Sequence, residues 1–138
     1  MPFTQDEVDY LATQRLGRLA TVQPDGTLQV SPVGFSYNAD VGVIDIAGHN
    51  MAASRKYRNV ADNGRVAFVV DDIASVQPWR VRCLEIRGTG EAIDAPVDSA
   101  AGMDGPIIRI HPQRIISFGV DNADVDPHLL TPNIRNVT

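Results

Sequence analysis

The chain has 138 residues, 43% of them hydrophobic and 21% charged, the size and composition of one globular domain with a real core. Seventeen acidic residues against twelve basic ones leave a formal net charge of -5, which argues against a general nucleic-acid or anionic-membrane binder. The single cysteine, Cys83, rules out an internal disulfide and suits a reducing compartment.

The opening "MPFTQDEVDY" has no apolar core of a signal peptide, and no apolar run approaches the roughly 20 residues of a membrane helix. The expectation is a cytoplasmic protein with no nucleic-acid and no membrane partner. Thr4 followed by Glu7 is a capping-box signature, and Val8, Leu11 and Ala12 continue at helical spacing. These predict a short helix over residues 4 to 14.

The period then changes to two. "RLATV" and "TLQVSPVGFSY" flank "QPDG", whose Pro24 and Gly26 read as a hairpin turn. In the second of these strands Leu28, Val30, Pro32 and Gly34 share one face, and Gln29, Ser31, Val33 and Phe35 share the other. Pro32 cannot donate to a ladder, which places that strand at an edge or a bulge. "VGVIDIAG" follows as a third strand.

Residues 51 to 62 return to helical spacing, with Ala53, Tyr57, Val60 and Ala61 on one stripe. "RVAFVVDD" (65–72) is a strand that Asp71 and Asp72 would end. "VRCLEIRGTGEAID" (81–94) is a long alternating strand whose glycines permit bends. A Pro/Ala/Gly-rich connection (95–105) leads to "PIIRIHPQRIISFGV", one or two closing strands. From Asp121 the chain reads as a mobile or partner-draped tail, residues 121–138. No repeat or linker divides residues 1–138, so a single domain is expected. About six strands with two short helices predict a small antiparallel barrel of the α+β, mainly β, type.

Chemistry concentrates in "MAASRKYRN" (51–59). A helix starting near Met51 would present free N–H groups, Ser54 a hydroxyl, and Arg55 and Lys56 charge-assisted donors. The same run reads equally well as a solvated basic face. His49, His111 and His128 lack metal-ligand spacing, so no metal is expected. Cys83 alternates within a strand and reads as a small buried or pocket-facing side chain, not a nucleophile. Trp79 could stack on a planar ligand, or fill a core or interface. Nucleophile-elbow, P-loop and dinucleotide fingerprints are all missing, so any reactive atoms would come from a bound cofactor.

In their order, "LATVQPDGTLQVSPVGF" (19–35), "MAASRKYRNVADNGRVAFVVDD" (51–72) and "RCLEIRGTGEAI" (82–93) resemble the pyridoxamine 5'-phosphate oxidase-like flavin-binding split barrels. The nearest pattern is that of the flavin/deazaflavin oxidoreductases using F420 or FMN. The resemblance implies a six-stranded antiparallel split barrel with short flanking helices. It also implies a homodimer with the cofactor in a groove between subunits. It would assign the cofactor phosphate to Ser54, Arg55 and Lys56, with Arg58 and Asn59 completing the element. His49 and Asn50 would line the groove, and Gln29, Val30, Ser31, Pro32 and Val33 would meet the ring.

Arg82 and Cys83 fall where the oxidase branch carries an arginine-glutamine pair, and Gln29 falls where it carries a phosphate-binding arginine. Together with the tail, which lacks the oxidase's substrate elements, these departures favour F420 and speak against pyridoxine phosphate oxidation. The implied activity is hydride transfer between reduced F420 and an electron-poor small organic acceptor. An FMN-dependent oxidoreductase, or a non-enzymatic flavin- or deazaflavin-binding protein, is the alternative. No side chain is forced as proton donor; Tyr37, His49 and solvent all qualify.

Overall fold

The computed structural model describes residues 1–138 except Ala101 and Ala123. Helix α1 (Gln5–Ala12) precedes strands β1 (Leu16–Val22), β2 (Leu28–Gly34), β3 (Ser36–Asn38) and β4 (Val43–Ile46). Helix α2 (Arg55–Asn63) separates these from β5 (Arg65–Ser75), β6 (Arg80–Ile93), β7 (Ile107–Phe118) and β8 (Asn133–Asn136). All pairings are antiparallel, in the order β2-β1-β5-β6-β7-β4-β3, with β8 also on β7. β2 and β3 lie at opposite ends of that order, yet only Phe35 separates them in sequence. The sheet therefore curls into an antiparallel half-barrel.

Eight strands stand where six were expected. One addition arises because the run 27–37 breaks at Phe35, so that β3 leaves β1 and pairs with β4. The other is β8. β7 is long enough for β4 to cover Ile108–Ile110, leaving Arg114–Ser117 free to pair with Asn133–Asn136. The expected mobile or partner-draped tail thus ends as a strand on its own chain. Asp71 and Asp72 do not stop β5, which continues to Ser75, because Asp72 has Arg82 opposite it on β6. Pro32 does mark an edge: among the described residues β1 is the sole sheet neighbour of β2.

α1 starts where its capping box predicts. The Thr4 hydroxyl accepts from the Glu7 N–H at 3.2 Å, and the Thr4 N–H donates to Glu7 Oε1 at 2.9 Å. Its Tyr10 and Leu11 close one end of a core built on Leu19, Phe68, Ile44, Ile86, Ile110 and Ile115. α2 contributes Tyr57 and Val60 to the core and ends at Gly64, whose left-handed backbone (φ 67°) suits glycine. Gly88 sits at the bulge between β6 and β7, where a Cβ would lie 2.1 Å from the His111 carbonyl oxygen; no larger residue fits there. Among the described residues no helix is long and apolar enough to cross a membrane.

Candidate functional site

The basic run begins later as a helix than its spacing predicts. Asn50 adopts a left-handed backbone (φ 50°), which Asn tolerates better than most residues, and turns the chain out of β4. A single 3-10 turn, Met51–Ala53, follows, and α2 starts only at Arg55 with Ser54 as its N-cap. The Ser54 hydroxyl accepts from the Tyr57 N–H at 3.2 Å and donates to the Met51 carbonyl at 2.6 Å. It is therefore occupied in capping and is not the free donor that was expected. Ala53 and Ala61 are exposed, so the buried stripe narrows to Tyr57, Asn59 and Val60. Tyr57 Oη donates to Asp94; burial and this carboxylate push the phenol up to about 12.

What remains available at this end of α2 is backbone and charge. The Arg55 and Lys56 N–H groups belong to the first turn and have no acceptor inside the helix. Arg55 is exposed and Lys56 half-buried, and neither forms an ion pair among the described residues. Arg55 lies near the β1–β2 turn: Asp25 there is held below its ordinary range by hydrogen bonds from Thr27, with a smaller contribution from Arg55. Arg58 is exposed.

β2 presents its two faces differently. Gln29, Ser31 and Val33 turn towards the core with Thr21 and Leu19, whereas Val30 and Pro32 lie on the exposed outer face. Asn59 joins α2 to this region: its Nδ2 donates to Thr21 Oγ1 at 3.0 Å and to Gln29 Oε1 at 3.2 Å. Two buried atoms here, Ser31 Oγ and Asn59 Oδ1, have no hydrogen-bond partner among the described residues. His49 and Asn50 are exposed in the loop from β4, with Asn50 Nδ2 and His49 Nε2 3.3 Å apart. Thr21 escaped the sequence reading, although its inward parity beside Leu19 was its signal.

Trp79, Arg82 and Cys83 stand apart from this group. Thr21 is opposite Val66 on β5, whereas Arg82 is opposite Asp72, six residues further along the same strand and hence about 20 Å away. Arg82 points inward, where its Nε donates to Asp72 Oδ1 at 2.9 Å and its guanidinium lies 5.0 Å from the centre of the Tyr10 ring. Asp72 also accepts from Tyr10 and Gln14, so this arginine is committed within its own chain. Cys83 faces outward into a cleft of about 590 Å³ shared with Trp79, Val69 and Phe118. Burial, aided by Asp71 and Glu85, pushes its thiol up to about 11, which makes it a poor nucleophile.

The fold is that of a split barrel, a curled antiparallel half-barrel, here with a cationic helix end beside its edge strand. A family model described as pyridoxamine 5'-phosphate oxidase matches residues 3–118, and the chain belongs to that family. It is 45% identical over 122 residues to a 5a,11a-dehydrotetracycline/5a,11a-dehydrooxytetracycline reductase from Streptomyces rimosus, covering 88% of this chain and 86% of the relative. A solved structure named as an F420 reductase is 29% identical, with a TM-score of 0.53 over 71% of this chain and 86% of that one. A conserved hypothetical protein from Mycobacterium tuberculosis shares the fold at 21% identity, with a TM-score of 0.66 over 83% and 84% of the two chains. The chain is an oxidoreductase of the flavin or deazaflavin type.

Proposed function

We propose that this oxidoreductase uses F420, and that it works as a homodimer with the cofactor in a groove between the two copies. The observation that carries the reading is the state of the α2 N-terminus. Among the described residues Arg55 and Lys56 stand there without carboxylate partners, in a chain of net charge -5, beside backbone donors that the helix leaves free. Such a set fits a phosphate group. Ser31 Oγ and Asn59 Oδ1 are buried polar atoms still in need of partners, as expected beside a ligand site.

In this reading Arg55 and Lys56 neutralise the phosphate, and Ser54 acts by starting the helix at the right residue. Asn59 fixes Gln29 behind β2, while the β2 segment from Gln29 to Val33 offers its unpaired edge and small side chains to the ring. His49 and Asn50 close the groove from the β4 side. When bound, reduced F420 supplies a hydride to an electron-poor carbon; the protein orients the acceptor and excludes water. From the tetracycline-type relative we extend to this chain a polycyclic conjugated acceptor. The lone cysteine suits the cytoplasm.

The separation of Trp79 and the outward-facing Cys83 from α2 agrees with a two-copy site, in which one chain's outer face meets the other's; Arg82 stays on the inner face with Asp72. The outer face is apolar, with Leu28 78% and Val30 67% exposed, alongside Ala20, Ala67 and Val69. FMN is the alternative cofactor, since it too presents a phosphate to the same seat. Gln29 speaks for F420, being tied to Asn59 where the FMN-using oxidases carry a phosphate-binding arginine. Fluorescence-quenching titration of the purified protein with F420 should give saturable binding in the micromolar range or tighter, with FMN weaker. A flat F420 curve with tight FMN binding would reverse the order.

A further inference from the structure

A cleft of about 720 Å³ lies away from α2, between the C-terminal end of α1, the β2–β3 bend and the end of β4. It begins at Gly34, where the strand offered to the cofactor ring ends, and includes Ala47, two residues before His49. The cleft thus adjoins, in sequence, both the Gln29–Val33 segment assigned to the ring and the groove residues His49 and Asn50. Its volume lies in the range of about 300–1,000 Å³ that holds a small organic ligand.

The walls mix apolar and polar side chains, and the apolar ones are held in place. Val8 and Leu11 come from α1, and Phe35 and Tyr37 from the bend. The Phe35 ring is fixed edge-on against Phe68 and the Tyr37 ring against Phe3, each pair at 5.4 Å between centroids. The polar groups of the lining divide into two sets. Thr13 and Gln14 are committed, to the Tyr10 carbonyl and to Asp72. Arg15 forms no ion pair, and the Ser36 and Tyr37 hydroxyls no hydrogen bond, among the described residues. Free polar groups set beside apolar walls are the usual means of orienting a ligand. Here the charged one is a cation, in a chain that is acidic overall.

We infer that this cleft is the acceptor site, and that it takes a planar polycyclic compound carrying an enolate or phenolate oxygen. Arg15 meets that oxygen, Ser36 and Tyr37 donate hydrogen bonds, and the α1 residues cover the flat apolar face. The inference rests on the reductase reading above, and it assigns to α1 a role in substrate choice.

The test uses full-length protein without added cofactor and tetracycline itself, a fluorescent planar polycyclic enol, as the probe. Fluorescence-anisotropy titration should show saturable binding to the wild type. Ala12→Trp, which fills the cleft from an exposed position on α1, and Arg15→Ala, which removes an exposed cation, should each weaken it by about tenfold or more. Both variants should keep the wild-type melting temperature and an F420 affinity within about twofold, because neither touches α2. Wild-type protein that binds no tetracycline, or Arg15→Ala binding it as tightly as wild type, overturns the cleft assignment. Loss of F420 binding by the wild type, with tetracycline binding and its Arg15 dependence intact, would instead overturn the cofactor reading and leave the cleft standing.

Discussion

Lys56 is half-buried at the start of α2 and meets no carboxylate among the described residues, whereas Arg82 and Arg135 are each held by one and Arg109 by two. A cation kept without a partner has its binding strength available for a ligand. Replacing Lys56 by Ala should therefore weaken F420 binding by about 1–3 kcal/mol, the usual value of a charge-assisted hydrogen bond, while thermal melting stays unchanged. Equal affinity in the variant would make Lys56 part of an ordinary solvated face. Contrast Arg109, whose Nε donates to buried Asp45 at 2.8 Å and whose Nη1 donates to Asp98 at 2.9 Å. Asp45 and Arg109 sit in the apolar runs "VIDI" and "IIRI", and nothing in either run names its partner. Only the β4–β7 register sets them opposite each other.

At the scale of elements, α2 owes its position to a cap. Ser54→Ala should destabilise the protein by about 1 kcal/mol, read as a shift in the urea midpoint. Ser54→Asp should restore that stability, since Asp caps as well, yet bind F420 more weakly than Ser54→Ala, because its carboxylate would repel a phosphate. If Ser54→Asp binds F420 as well as wild type, the α2 N-terminus is not the phosphate seat. β8 depends on a different contact. Arg135 and the Ser117 hydroxyl both donate to the fully buried Glu7 carboxylate of α1. Burial alone would raise this carboxyl, but the bonds from Arg135, Ser117 and the Thr4 N–H outweigh it and hold it below its ordinary 4.5. A carboxyl lowered in the folded state stabilises fully above its unfolded value and loses that contribution as pH falls through the folded one. Amide exchange in residues 133–136 should therefore accelerate as pH drops below about 4.5, relative to the intrinsic rates. Glu7→Gln, which removes the titrating group, should flatten that pH dependence.

At the scale of the whole molecule, the outer face of β2, β1 and β5 leaves several large apolar side chains in water. Leu28→Asp, at the most exposed of them on β2, should shift sedimentation from dimer to monomer and weaken F420 binding at the same time. Dimers that persist in this variant would place the contact between copies elsewhere. Much of the fold is local and was legible without the structure. The capping box starts α1, "QPDG" turns the first hairpin, Pro32 marks an edge, the β-rich run 65–72 lies in β5, and alternation identifies β6. These depend on backbone preferences and parity, which a stretch of sequence carries within itself. The remainder turns on distant pairing. The curl of the sheet sends β3 to β4, the free half of β7 captures residues 133–136, and register aims Arg82 inward at Asp72. The same topology sets Arg82 about 20 Å along β5 from Thr21, with Cys83 and Trp79 on either side of it, and opens a cleft under α1 from residues scattered between Val8 and Met103. Such groupings belong to no single segment, because which side chains meet is decided by strand order and register, and only the folded chain has those.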